Sequence, residues 1–260
     1  MRKYWFLFSN RIQTLMAYRL DFIGTYFFSI LQVFTMILVF NVIYKSGQAL
    51  TGYSFGSLVM YYVLVSVFSF FATSNRIRHY ITIDIKNGLL SFWLLKPCRY
   101  NLLIIANFLA ELVLGASIAA VVLVVALAFF PVITIDLSLQ LLVVVMLSLV
   151  WELLFSVCVG LLSFWLSETE GLSYALNMLV MFAVGSWIPL DVLPKAIAQA
   201  GSWLPFQYQV YFPIQMLLGR TTPDAFSQAI VVQLVWIGTF ALLARWMWFS
   251  GIKEYEAYGG

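Results

Sequence analysis

RIRHYITIDIKNGLLSFWLLKP, residues 76–97, is the longest polar interruption in an otherwise apolar chain. It carries Arg76, Arg78, Lys86 and Lys96, with Arg99 just beyond, and the only histidine, His79. Apolar runs long enough to cross a bilayer lie on both sides. This pattern predicts a loop on the positive, cytoplasmic side of a membrane, where a soluble partner can dock.

The composition agrees. Of 260 residues, 63% are hydrophobic, 18% aromatic and 10% charged, against about a quarter charged in soluble domains. A soluble core of this size could not hide so much apolar surface. A membrane β-barrel would show short alternating segments, so the prediction is an all-α polytopic membrane protein forming one transmembrane domain over residues 1–260. The two cysteines, Cys98 and Cys158, make neither a disulfide framework nor a metal pattern.

Six spans are expected, near Phe22–Tyr44, Phe55–Ser74, Leu102–Pro131, Leu139–Leu166, Leu172–Ile188 and Ser227–Ser250. Asp136 falls in a short turn between the third and fourth. Tyr4–Phe8 is too short for a cleavable signal. The first twenty residues instead suit an interfacial helix, with Tyr4, Trp5, Phe8, Ile12, Leu15 and Met16 on one face and Arg2, Lys3, Arg11 and Arg19 adding positive charge. Between Pro189 and Gly219 the apolar pattern is broken by Pro189, Pro194, Gly201, Pro205 and Pro213. Proline stops a helix, so residues 189–219 are expected to form two short helical pieces, a re-entrant hairpin at the outer face.

Lysine and arginine set the orientation. With the N-terminus inside, inner segments hold eleven of them and outer segments three, Lys45, Lys195 and Arg220. Trp5, Trp93, Tyr100, Trp165, Trp246 and Trp248 fall near the inner boundary, and Tyr44, Tyr53, Trp187 and Trp203 near the outer one. Both termini are expected in the cytoplasm, in a multi-pass protein of the cell membrane.

Catalytic chemistry finds little footing. One histidine has no partners for a metal site, and HExxH, Gly-x-Ser-x-Gly and phosphate-binding glycine-rich motifs are absent. Without a Walker-type sequence this chain does not bind ATP by that route. No catalytic, cofactor or metal residue is expected here, and no nucleic-acid partner.

Residues 82–97 are more specific. Asp84-Ile85-Lys86-Asn87-Gly88 precedes Leu94-Leu95-Lys96-Pro97. Gly88 can end a helix in a left-handed cap. Ile81, Ile83, Ile85, Leu89, Leu90 and Phe92 are too apolar for free solvent, and their partial alternation leaves helix and strand both open.

The pattern Asp-Ile-x-x-Gly … Leu-Leu-x-Pro resembles the first cytoplasmic loop of permease subunits of type-2 ATP-binding-cassette exporters. The outer segment is similar too, in Gly185-x-x-Ile188-Pro189, Pro194, Leu204-Pro205-Phe206, Tyr211-x-Pro213 and Leu218-Gly219. The resemblance covers nearly the whole chain. It implies an export permease that forms the path as a dimer with a second copy or a homologous permease, served by two cytosolic ATPase subunits that carry the ATP and magnesium. It implies that Thr82, Ile83, Asp84, Ile85, Lys86, Asn87 and Gly88 form a coupling helix gripping the ATPase, with Glu168 and Glu170 near that interface. The chain lacks the large extracellular domain of bigger family members, so the substrate stays open. A secondary transporter would show internal repeats and helices broken at the midplane. A membrane scaffold without an ATPase is the other alternative.

Two carboxylates lie deep in the apolar runs. Glu111 is about 14 Å along from Leu102 and Glu152 about 21 Å from Leu166. A charge at such depth costs at least a few kcal/mol unless it faces protein or water. Asn107, Glu111 and Gly115 share one helical face, and Ser148, Glu152 and Ser156 another. Each glutamate has a structural reading and a path-lining one; the structural reading leads for Glu111, and the two weigh equally for Glu152. Asn107, Glu111, Ser148 and Glu152 are therefore the candidate path residues, and Pro189, Pro194 and Pro205 the candidate outer gate.

Overall fold

A computed structural model describes residues 2–17, 19–47, 52–71, 74–129 and 138–255. The turn expected around Asp136 lies outside them. No strand occurs among the described residues. Eleven α-helices follow in order: α1 Arg2–Ala17, α2 Arg19–Lys45, α3 Phe55–Ser69, α4 Ser74–Lys86, α5 Leu89–Leu95, α6 Tyr100–Phe129, α7 Leu139–Leu161, α8 Glu170–Ala183, α9 Lys195–Ser202, α10 Tyr211–Leu217 and α11 Pro223–Glu254.

Local chemistry fixes several starts. Ser54 accepts from the Ser57 amide at 3.2 Å and Ser138 from the Leu141 amide at 3.3 Å. Thr222 caps α11, with Pro223 at the first helical position, where its missing N–H costs nothing. Residues 100–124, 139–164 and 223–254 form helices long and apolar enough to cross a membrane. Phe34–Lys45 and Phe55–Ser69 are shorter apolar helices. The second apolar run is shorter than its sequence suggests, because the helix stops at Ser69 and α4 begins at Ser74.

α7 is the central post. Its Leu139 end packs into a cluster with α3, α10 and the start of α11, around Tyr61, Tyr62, Val144, Tyr208 and Ile214. Its Leu161 end packs with α4, the start of α6 and the end of α11, around Ile77, Ile81, Leu103, Trp151 and Met247. Phe206 and Trp236 touch both clusters.

α1 lies along α6. It turns Leu15 inward and leaves Trp5, Phe6 and Met16 exposed. Arg11, a surface charge by sequence, points into the protein.

Candidate functional site

Helical periodicity decides the basic segment. Ile77, Ile81 and Ile85 recur every fourth residue and are all buried on one stripe of α4 against α7. Ile81 seats on Gly160, where a Cβ would stand 2.8 Å from the Ile81 Cβ. The alternation that hinted at a strand is resolved as a helix, with Ile83 half-buried beside the stripe.

α4 ends at Lys86, and Gly88 takes φ +73°, a left-handed turn that favours glycine. α5 follows, with Leu90 buried and Leu89, Phe92, Leu94 and Leu95 exposed. The apolar residues of the segment thus divide: the isoleucines of α4 fill this chain's own core, and α5 presents an apolar face outward.

The polar residues of α4 hold it in place. Tyr100 donates to Asp84 Oδ2 at 2.8 Å. Burial raises the Asp84 carboxyl above its ordinary pKa, and the Tyr100 hydroxyl opposes that shift. Ser163 donates to Thr82 Oγ1 at 2.9 Å, and Lys86 Nζ donates to the Ser167 carbonyl at 2.5 Å. Asn87, Glu168 and Glu170 are exposed. Two clefts flank α4 here, one of about 350 Å³ beside Lys86, Trp165 and Tyr255, the other of about 370 Å³ beside Arg76, His79 and Glu170.

Both deep carboxylates meet arginines that the sequence places on the basic loop or the interfacial helix. Glu111 on α6 is buried; its Oε1 accepts from Arg11 of α1 at 2.7 Å and from the Tyr80 hydroxyl of α4 at 3.0 Å. Its Oε2 lies 3.1 Å from Arg76 of α4. The Arg11 guanidinium also stands 4.1 Å from the centre of the Tyr80 ring. Glu152 on α7 is buried and acts electrostatically on Arg78 of α4, itself only 2% exposed. Arg78 also donates to Asn75. Ser148 is buried, its hydroxyl bound to the Val145 carbonyl; Asn107 is half-buried. Gly115 presses on Phe70 of the α3 end, where a Cβ would meet the carbonyl oxygen at 2.1 Å. Within one chain, Glu111, Glu152 and Ser148 are all buried. No sequence signal marks Arg11, Arg76 and Arg78 as partners, because a positive-inside pattern accounts for all three.

Tyrosines of α3 and of the turn before it tie down the lead-in to the proline-broken segment and the segment itself. Tyr61 donates to the Gly185 carbonyl at 2.6 Å and Tyr62 to the Trp187 carbonyl at 2.7 Å. Tyr53 reaches Asp191 at 3.2 Å, receives Gln215 at 2.8 Å and lies under the Arg220 guanidinium, 4.4 Å away. Burial pushes the Tyr53 phenol well above its ordinary pKa. Pro189 and Pro205 are buried and Pro194 is exposed at the start of α9.

Among the described residues no group of three or more His, Cys, Asp or Glu could hold a metal. No curated protein matches this chain. The family described as "ABC-2 family transporter protein" matches residues 30–259, so these helices belong to a membrane protein of that type-2 ATP-binding-cassette permease family.

Proposed function

We propose that this chain is the membrane-spanning permease subunit of an ATP-driven exporter, paired with a second permease and driven by two cytosolic ATPase subunits. In this reading α2, α3, α6, α7, α8 and α11 cross the membrane, both termini are cytoplasmic, and ATP with magnesium is bound and hydrolysed on the partner. The membrane is the cell membrane.

The α4–α5 pair carries the reading. A coupling element has to transmit force without deforming. α4 is seated on α7 through Ile81 and Gly160 and bound at its end by Asp84, Thr82 and Lys86. Next to it, α5 exposes Leu89, Phe92, Leu94 and Leu95, with Lys96 3.7 Å from the Phe92 ring centre. The ATPase grips the turn at Asn87–Gly88 and the outer face of α5, so that Ile85 acts from inside the permease. Glu170 lines the cleft beside α4, and Glu168 is exposed two residues before it.

The depth of residues 189–219 fits a re-entrant hairpin. Phe206 packs edge-on against Trp151 and against Phe155, and Trp151 lies about 18 Å along α7 from Leu139. The buried polar side chains of Gln207, Gln209 and Gln215 support a role at the outer gate.

Co-purification tests the proposal. The tagged chain is extracted in mild detergent with its co-expressed ATPase. Stoichiometric recovery of an ATP-hydrolysing partner is expected, and Leu95→Glu should abolish it while the permease stays in the membrane. Recovery of the wild-type chain without any ATPase would point to a secondary transporter or scaffold instead.

A further inference from the structure

α11 packs closely on α7, and between α6 and α11 the small side chains of Ala241 and Ala244 leave room for a groove of about 450 Å³ along the chain's side. α7 floors it with Leu153, Leu154 and Val157, and Ile104 and Ile105 wall it from α6. It is apolar along its length and polar at one end, where exposed Asn101 and Arg245 line it. Arg245 contacts the Phe249 ring, 5.6 Å from its centre, and among the described residues no carboxylate pairs with it. Tyr100 and Trp248 stack at 5.3 Å beside this end, and Trp165 and Trp246 at 6.4 Å. Amphipathic rings of this kind collect at the headgroup level.

We infer that this groove is a binding site for one anionic glycerophospholipid of the inner leaflet. One acyl chain lies between α6 and α11 on the α7 floor, and the phosphate meets Arg245 and Asn101. Shape and charge both support this occupant. An apolar trough with a single cation at its mouth leaves a soluble anion with nothing to fill the trough, and leaves a zwitterionic lipid without a net charge to match. A guanidinium also pairs with a phosphate through two parallel hydrogen bonds. The leaflet follows from the orientation proposed above, but lipid retention does not depend on it; cysteine labelling from outside reports orientation separately.

The test uses the full chain in detergent, exchanged against micelles containing phosphatidylglycerol or phosphatidylcholine, with retained lipid counted by native mass spectrometry. Wild type should retain one phosphatidylglycerol about fivefold more strongly than phosphatidylcholine, the scale of one basic residue at an anionic surface. Arg245→Gln should remove that preference and Arg245→Lys should keep most of it. Ala241→Trp should fill the trough and cut retention of both lipids. Lys253→Gln, at another cation of α11, should change nothing. Equal retention in wild type and Arg245→Gln would overturn the site, as would a matching loss in Lys253→Gln. Full displacement by millimolar inorganic phosphate would also overturn it, since a free anion cannot replace the acyl chain. If Ala241→Trp separates two copies of the chain without changing lipid retention, the groove is a protein contact and the proposal fails. Should Arg245→Gln not fold, Arg245→Lys and Ala241→Trp decide the matter alone.

Discussion

Ile81 of α4 rests directly on Gly160 of α7, with so little space that a Cβ on Gly160 would come within 2.8 Å of the Ile81 Cβ. The basic segment is therefore attached to the membrane core through a contact only glycine allows. Gly160→Val should force the helices apart and cost about 1–3 kcal/mol. A lower thermal midpoint of the purified chain, relieved in part by Ile81→Ala in the same molecule, is the expected result. An unchanged midpoint would mean the two helices part easily.

Glu111 joins α1, α4 and α6 through Arg11, Arg76 and Tyr80. Removing its charge takes a buried anion away from two half-buried guanidinium groups, 17% and 29% exposed. Glu111→Gln should destabilise the chain by about 3 kcal/mol or more, and Arg11→Gln added to it should lower the midpoint less than additively. Strict additivity in that cycle would show that the two residues do not share an energetic contact.

Asp84 accepts a hydrogen bond from Tyr100 at the end of α4. Asp84→Lys loses the acceptor and places a cation in a half-buried site, a cost of roughly 2 kcal/mol or more. Transport and ATPase stimulation should fall about tenfold, while membrane insertion stays intact; Asp84→Asn, which keeps an acceptor oxygen, should lose much less. Wild-type transport from Asp84→Lys would move the coupling contact away from α4.

Gly185 holds φ +82°, and a Cβ there would meet the Tyr61 hydroxyl at 3.0 Å. Gly185→Ala should loosen the bond between α3 and the proline-broken segment, with backbone strain of about 1 kcal/mol or more. Faster hydrogen exchange at residues 185–192 is expected, with exchange in α7 unaltered. No change in that segment would show that Tyr61 does not fasten it.

Topology has its own check. With Cys98 and Cys158 replaced, single cysteines at Gly52 and Asp224 should react with an impermeant thiol reagent from outside, and one at Asn87 should not. The reverse pattern would invert the orientation.

How much of this was legible in the sequence follows from what each signal measures. Hydropathy, lysine and arginine placement and the prolines of residues 189–219 act locally or along one dimension. They were enough for an all-helical membrane chain, for the approximate helices and for two short pieces within the proline-broken stretch. The turn at Gly88 was also readable, because a left-handed backbone favours glycine whatever surrounds it. Partnerships were not readable. Arg11 is 100 residues from Glu111 and Arg78 is in a segment that reads as solvated, so their charges counted as surface until packing brought α1, α4 and α7 together. Ile81 and Ile85 read as available to a partner because their apolar character is visible in sequence and their direction is not. A small residue on α7, Gly160, set that direction, since helix approach depends on volume at the contact point and that volume is contributed by a distant part of the chain.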